Sequence, residues 1–400
     1  MSLRTYVVMI LLAPALAIAE TPPPSSPDPS QPNPTMPEPP KVATPAADGS
    51  TPLAMKSLKL KLSGVLYASW GIDVAGANPD TSDRVAGNNR FDVTRAYFNI
   101  EPQITKNITL RITPDVTRIQ GTEGNVDGSL AFRLKYAYAQ FNEVAPGLAL
   151  KAGMQHTAYI DFEDSLWKYR VLGPSAYEFF TRKASADLGV GAIGRHLDGL
   201  LEYQVVLSNG EGYTRAERSA AYPEGDGKYK EVGARVTLAP FARNDDALKG
   251  LKLTGFGQYG FTRSARIDGE REHLATSRVL GLASYEHPFF TVAAGYGVTG
   301  DDALSDDEVP ALEEASGSLL TTFGYVNLPA NLRVLGRFDS FDPNGDEDDD
   351  ERTRVIGGLA YLFSDMVQVV GDWQHFGYAN EDQEPDVVGD QFFVHLEAKY

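Results

Sequence analysis

The chain has 400 residues, no cysteine, and 54 Asp plus Glu against 36 Lys plus Arg, for a formal charge of −18. Without cysteine there is no disulfide framework, thiolate metal site or thiol nucleophile. The acidic balance argues against nucleic acid as a partner and against docking on an anionic surface through bulk charge.

Residues 1–19 read as a secretory signal peptide: Arg4 gives a positive start, residues 6–16 an apolar core, and Ala17, Ile18 and Ala19 a small-residue cleavage site. The apolar run is shorter than the roughly 20 residues a membrane-spanning helix needs, and no later run qualifies. Residues 20–55 are Pro-rich and too poor in large apolar side chains to build a core, so a disordered linker is expected there. Residues 56–400 show no second shift in composition and are expected to form one all-β domain.

Beyond residue 55 the pattern alternates with period two, which puts one class of residue on each face of a strand. Ile108, Leu110, Ile112 and Val116 share one face, with Thr109, Arg111, Thr113 and Asp115 on the other. Further on, Leu130, Phe132, Leu134, Tyr136 and Tyr138 oppose Arg133 and Lys135. Connections alternate between short turns, at 105–107, 145–147, 198–199, 239–250, 288, 328–331 and 364–365, and long polar loops. The long ones lie at 75–90, 120–128, 157–186, 210–229, 264–277, 300–315, 342–351 and 379–390. This rhythm predicts about 16 strands of roughly 9 to 13 residues in an antiparallel up-and-down meander, with both termini on the short-turn side.

Alternation alone does not say which face is inside. The export signal and the unequal ends favour a transmembrane β-barrel over a soluble sandwich. So do aromatics near strand ends (Tyr97, Phe98, Tyr136, Tyr138, Phe141, Tyr361 and Phe363), in the position of interfacial girdles. A closed barrel also satisfies every backbone donor and acceptor in lipid. Sixteen strands enclose a lumen too wide for wall side chains to fill, so a water-filled channel is expected. The last strand, 391–400, alternates cleanly and ends on Tyr400, which resembles the segment read by the outer-membrane assembly machinery.

The apolar partners assign Arg95, Arg111, Arg133, Lys135 and Lys151 to the inner face of the second to fifth strands, as a pore-lining basic ladder. Such cations pass an anion along without holding it tightly. The third long loop carries Asp161, Glu163, Asp164, Lys168, Arg170, Arg182 and Lys183 among many aromatics. Folded inward it would bury those rings, place its carboxylates opposite Arg95, Arg111 and Arg133, and form a constriction with a transverse field. The plainer reading is a surface loop that packs on a neighbouring protomer.

Four short stretches, in this order, resemble the phosphate-selective porin O and P family: residues 95–99 (RAYFN), 110–115 (LRITPD), 153–155 (GMQ) with 160–163 (IDFE), and 186–189 (ADLG). The similarity covers residues 58–400. It implies a sixteen-stranded, usually trimeric outer-membrane pore of a Gram-negative-type bacterium, with an arginine ladder and constriction lysines for oxyanions. Here Arg95, Arg111, Arg133 and Lys151 would fill the ladder role, and Lys168, Arg170 and Lys183 the constriction role. The acids of the same loop depart from that pattern. A general diffusion porin for small hydrophilic solutes and ions is therefore the first expectation, with a preference for inorganic anions or phosphate left open.

Acidic runs fill three other long loops: Asp301, Asp302, Asp306, Asp307 and Glu308; Asp342 with 346–351; and Glu381, Asp382, Glu384 and Asp386. Such runs are usually solvated, repelling charge. The sharper reading is a weak calcium site on Asp342, Asn344, Asp346, Asp348 and Asp350, since hard oxygen donors on a glycine-containing turn suit that ion; no other cofactor is expected. The six histidines make no paired metal spacing, so enzyme readings are disfavoured. The alternatives are a receptor or adhesin acting through the acidic loops, and a barrel-type hydrolase using wall residues such as Asp372 and His375.

Overall fold

The computed structural model describes residues 59–75, 86–119, 128–210, 212–213, 230–244, 247–267, 270–304, 312–379 and 389–400, within one unit, Lys56–Tyr400. The expected signal peptide and linker lie outside the described residues. Sixteen strands follow one another: β1 (Lys59–Ala75), β2 (Asn89–Thr105), β3 (Ile108–Arg118), β4 (Leu130–Ala145), β5 (Leu148–His156), β6 (Ala186–His196), β7 (Leu201–Ser208) and β8 (Glu231–Leu238). The second half comprises β9 (Leu251–Ile267), β10 (Glu270–His287), β11 (Phe290–Leu304), β12 (Leu312–Leu328), β13 (Leu332–Asp342), β14 (Arg352–Leu362), β15 (Val367–Tyr378) and β16 (Gly389–Lys399). Two short helices, α1 (Ile160–Trp167) and α2 (Ala176–Thr181), lie between β5 and β6. Each strand pairs antiparallel with the next, and β1 pairs with β16 from Val65↔Lys399 to Ala75↔Asp390, so the barrel closes and leaves no edge. No helix among the described residues is long and apolar enough to cross a membrane.

The distribution of side chains is inverted relative to a soluble domain. On β13, Val334 is 48 % exposed, whereas Asp339 on the opposite face is 0 % exposed and Arg337 is buried. The same split recurs on β16, where Phe392, Val394 and Leu396 are exposed while His395 and Glu397 are buried. An apolar exterior around a charged interior is the arrangement that lipid imposes on a barrel.

Turn chemistry fixes the registers. Ala330 and Asn331, both at positive φ (61° and 60°), close the β12–β13 hairpin in the twist that antiparallel strands favour. Gly147 (φ 73°) closes β4–β5, where any Cβ would sit 2.3 Å from the Arg195 carbonyl oxygen.

Two expectations change. Residues 264–277 are not a loop: β9 and β10 run on to Ile267 and Glu270, pairing Arg271↔Arg266 and Glu272↔Ala265. Beyond the lipid a ladder needs no apolar face, so hydropathy alternation stops while pairing continues, and strands reach 17 and 18 residues instead of 9 to 13. The loop at 300–315 shrinks in the same way, because β11 and β12 pair out to Leu304↔Leu312.

The second change is one of phase. In the β3–β4 ladder Thr113 pairs with Tyr136 and Pro114 with Leu134, which leaves Lys135 as a bulge. One unpaired residue turns every later side chain to the other face. Phe132 thus stays 71 % exposed, but Tyr136 is buried and Tyr138 faces the charged side with it. Tyr97 does likewise, since the Lys135 ammonium donates to its hydroxyl. Only Phe98, Phe141, Tyr361 and Phe363 of the expected girdle are exposed.

Candidate functional site

The five cations of the expected ladder stand on neighbouring strands, β2 to β5, and each lies over a tyrosine ring. Arg95 is 4.6 Å from the Tyr97 centroid, Arg111 4.6 Å from Tyr136, and Arg133 4.6 Å from Tyr213. Lys135 is 4.8 Å from Tyr97, and Lys151 is 4.8 Å from Tyr138. These contacts follow from the strand pattern: Arg95 and Tyr97 are two apart on one face, and the Lys135 bulge turns Tyr136 and Tyr138 toward Arg111 and Lys151. Arg111 also donates to Asn99 Oδ1 and Thr113 Oγ1, both at 3.0 Å. None of the five lies within 4.0 Å of a carboxylate among the described residues. Asp115 faces Arg133 across the ladder without pairing with it.

Among the described residues, the fully buried cations on the rest of the wall are paired, while the half-buried Arg333 and Arg352 rest on Tyr325 and Tyr378. Arg337 and Arg354 share Asp339, at 2.7 and 2.6 Å. Arg235 pairs with Glu202 at 2.8 Å and Arg278 with Asp301 at 2.7 Å. A paired guanidinium has little left for a passing ion. One resting on a ring face is not neutralised by it, because the ring supplies only a quadrupole; Asp115 and Asp161 act on the ladder cations from beyond pairing distance.

Segment 157–185 is built from α1, a 3-10 turn at Arg170–Leu172 and α2. Asp161 and Glu163 occupy the first turn of α1, where the helix dipole favours acids, and Lys168 ends it in the left-handed region (φ 62°). Ser175 caps α2 by accepting from the Glu178 amide at 3.3 Å. Five of its aromatics, Tyr159, Trp167, Tyr169, Tyr177 and Phe180, are buried. They meet rings of the wall: Tyr159 on Phe256 at 4.9 Å, Trp167 on Phe323 at 5.6 Å, and Tyr169 on Tyr325 at 5.7 Å. Polar fasteners join them. Arg337 holds Glu163 at 2.5 Å, and Arg354 donates to the Pro174 carbonyl at 2.9 Å. Gln374 donates to the Leu172 carbonyl at 3.0 Å, and Arg235 to that of Ala158 at 3.0 Å. All these wall groups belong to the charged face of β8, β9 and β12–β15.

The sequence reading put the loop carboxylates opposite Arg95, Arg111 and Arg133; Asp161 and Asp164 share a cavity lining with Arg95 and Arg111 without pairing with them, and Glu163 turns to the other side of the wall. Glu163 is taken by Arg337, and Asp164 lies 3.5 Å from Arg170, which also binds Glu178. Asp161 lines one cavity with Arg95, Arg111 and Lys135 and lies 3.3 Å from His156, whose ring is 3.4 Å from the Arg111 guanidinium. Burial pushes Asp164 up to about 6 in spite of Arg170. Of the remaining loop cations, Lys183 is neutralised by Glu231 at 2.5 Å, Arg182 is exposed, and Lys168 is exposed over the Tyr325 ring.

Between this segment, β1–β5 and the short-turn end of β13–β16 lies a cavity of about 500 Å³, lined by Arg95, Arg111, Lys135, Asp161, Arg170 and Glu397 among others. A second, of about 320 Å³, is lined by Arg90, Asp92, Arg95, Arg170 and His395 among others.

Elsewhere the structure does not bring the expected groups together. Asn344 of the acidic loop spends its side chain on its own turn, accepting from the Asp346 amide at 3.3 Å. Among the described residues, no group of three or more His, Asp or Glu has metal-holding geometry, so Asp342, Asp346, Asp348 and Asp350 form no such cluster. Asp306, Asp307, Glu308, Glu381, Asp382, Glu384 and Asp386 lie outside the described residues. Asp372 and His375 are three apart on a strand and face opposite ways. Asp372 meets His395 at 3.1 Å, and His375 meets Asp390 at 2.8 Å.

Sequence reasoning missed the tyrosine supports, because their period counted as apolar. It also missed the Arg337, Asp339 and Arg354 cluster. The signal was present, in acid and base two apart on β13.

No protein-family model and no curated relative matches the chain. The resemblance to the phosphate-selective porins thus rests on its short motifs. Solved structures do match. The outer-membrane channel DcaP of Acinetobacter baumannii aligns over 86 % of this chain and 97 % of its own, with a TM-score of 0.60 and 11 % identity. An anion-selective porin from Comamonas acidovorans covers 86 % and 99 % at 0.58 and 10 %. The trimer form of OmpT, an outer membrane protein of Vibrio cholerae, covers 86 % and 99 % at 0.56 and 11 %. At such identities the likeness is one of fold: a closed sixteen-stranded antiparallel barrel of the kind these outer-membrane proteins use.

Proposed function

We propose that the protein is an outer-membrane porin, a water-filled channel for passive diffusion of small hydrophilic solutes with a preference for anions. The observation that carries this reading is the division of the cations. Those on β2–β5 lie on tyrosines with no carboxylate within 4.0 Å among the described residues, and three of them, Arg95, Arg111 and Lys135, line a 500 Å³ cavity, while the buried Arg235, Arg278, Arg337 and Arg354 are paired. Segment 157–185 acts as the constriction, because its wall contacts on β8, β9 and β12–β15 leave the β1–β5 arc as the way through. The acids Asp161 and Asp164 beside that way favour a general anion filter over a phosphate-specific one. The apolar exterior would face outer-membrane lipid, reached through a cleaved signal peptide, and the Tyr400 end of the last strand would be read by the assembly machinery. A homotrimer is the proposed assembly, as in the trimer form of the Vibrio cholerae neighbour.

Planar-bilayer recording tests the reading. Purified protein should give ohmic conductance steps, and reversal potentials in a KCl gradient should favour chloride. Arg111→Glu should move them toward potassium by a clear multiple, since a unit charge within about 4 Å of an ion in water is worth about 1 kcal/mol. Insertion without any conductance step would remove the porin reading and leave the receptor or adhesin one.

A further inference from the structure

The second cavity, of about 320 Å³, has the size of a small-ligand pocket and a lining unlike that of the first. One side is the wall at β1 and β16. Gly71 of β1 pairs with Phe393 of β16, and a Cβ on Gly71 would sit 2.4 Å from the Phe393 ring, so a glycine there lets the ring lean onto the neighbouring strand. His395 stacks beside it, with ring centroids 5.1 Å apart and planes 28° from parallel. The other side is the turn of Val171, Leu172 and Pro174. Gln374 and Arg354 fix that turn to the wall through the Leu172 and Pro174 carbonyls, at 3.0 and 2.9 Å. The slot is aromatic on one side and aliphatic on the other.

Register places a cation in line with the rings. Arg90 of β2, Gly71 of β1 and Phe393 of β16 form one row across three strands, about 10 Å from first to last at the ordinary strand spacing. Arg90 is exposed at the long-loop end, with no carboxylate within 4.0 Å among the described residues. Deeper rows are closed to an anion by acids. Asp92 stands in the row of His395, whose Nε2 lies 3.1 Å from Asp372, and Arg95 stands in the row of Tyr67 and Glu397. We propose that this slot binds flat aromatic monocarboxylates, with the ring on Phe393 and His395 and the carboxylate on Arg90. This rests on the porin reading and names a solute class for it. A guanidinium binds carboxylate oxygens in pairs. A hydrated inorganic ion gains nothing from the rings, whereas half-burying a phenyl group, about 50 Å² of apolar surface, strengthens binding about eight-fold.

The test uses the full chain in planar bilayers, with benzoate and acetate as probes of equal charge at pH 7. A solute that dwells in the slot interrupts the KCl current, so benzoate should halve the conductance at about one eighth of the acetate concentration. Phe393→Leu keeps an apolar side chain without the ring, and should bring the benzoate value most of the way to that of acetate. Arg90→Gln should weaken both probes alike, because it removes charge and leaves the rings. Phe392→Leu, at the next ring along but on the exposed outer face, should change neither. Equal half-blocking concentrations for the two probes in a conducting wild type, or a benzoate value unchanged by Phe393→Leu or by Arg90→Gln, would overturn the site and leave the porin standing. Absence of any wild-type conductance removes the underlying reading instead. Should Phe393→Leu fail to insert, Leu172→Ser carries the same test from the other side of the slot, with the same expected and overturning results.

Discussion

Asp164 sits where a single proton changes the charge of the segment between β5 and β6. Burial raises its carboxyl to about 6; Asp161 and Glu178 push in the same direction, and Arg170 and Arg95 pull against it. Glu178 shifts the other way: burial opposes ionisation, but the Arg170 guanidinium outweighs it and holds the carboxyl below the usual range. Lowering the pH from 7 to 5 therefore discharges Asp164 while Glu178 and Arg170 keep their charges. Segment 157–185 gains one unit of positive charge, and under the proposed porin reading the chloride-to-potassium ratio should rise about five-fold. Asp164→Asn should show the acid-pH ratio already at pH 7 and lose the step. A step that survives in this variant would assign it to another group, Asp161 first. At this scale the sequence was half legible. It put Arg95, Arg111, Arg133, Lys135 and Lys151 on the charged face of β2–β5, because apolar alternation assigns faces, but alternation carries no information on pairing. Whether Arg133 rests on Tyr213, eighty positions away, or meets a carboxylate depends on the closed barrel.

At the scale of elements, segment 157–185 depends on a latch more than on its own helices. α1 has eight residues and α2 six, lengths at which isolated helices are marginal in water. What holds α1 is ring packing on β9 and β12 and the buried bond from Glu163 to Arg337, whose other carboxylate, Asp339, is shared with Arg354. Removing one member of a buried pair costs about 3–5 kcal/mol. Glu163→Gln keeps the shape and an acceptor, so a loss near the lower end, about 3 kcal/mol, is expected. It should appear as an earlier urea transition and as larger, noisier single-channel currents. Unchanged behaviour in both would mean that aromatic packing alone keeps the segment in place. The third loop announced itself by length and by rings unsuited to water. The 264–277 stretch misled for the opposite reason, because its strands pair beyond the membrane, where no apolar face marks them. The Lys135 bulge was equally silent, since one added residue changes phase without changing composition.

At the scale of the whole molecule the strand number was readable from the rhythm of short and long connections, because an up-and-down barrel has only those two kinds of joint. The net charge read less directly. The formal −18 is that of an acidic protein, while five cations with no carboxylate within 4.0 Å among the described residues stand together on β2–β5. The two act at different ranges. Asp346, Glu347, Asp348 and Asp349 are exposed on the loop between β13 and β14, so salt screens them over about 30 Å at 0.01 M but about 3 Å at 1 M. Lys135 and Lys151 are buried, and buried charges are screened much less. At low salt the acidic loops should draw potassium to the mouth and oppose the arc; at high salt only the arc should remain. The chloride preference should therefore rise as KCl increases from 0.01 M to 1 M, contrary to a pore whose selectivity comes from exposed positive charge. Replacing Asp346, Asp348 and Asp349 by Asn should flatten the rise. Reversal potentials at a fixed concentration ratio, centred on the two salt levels, measure it; a preference that falls with salt would show that the acidic loops do not act on the ion path.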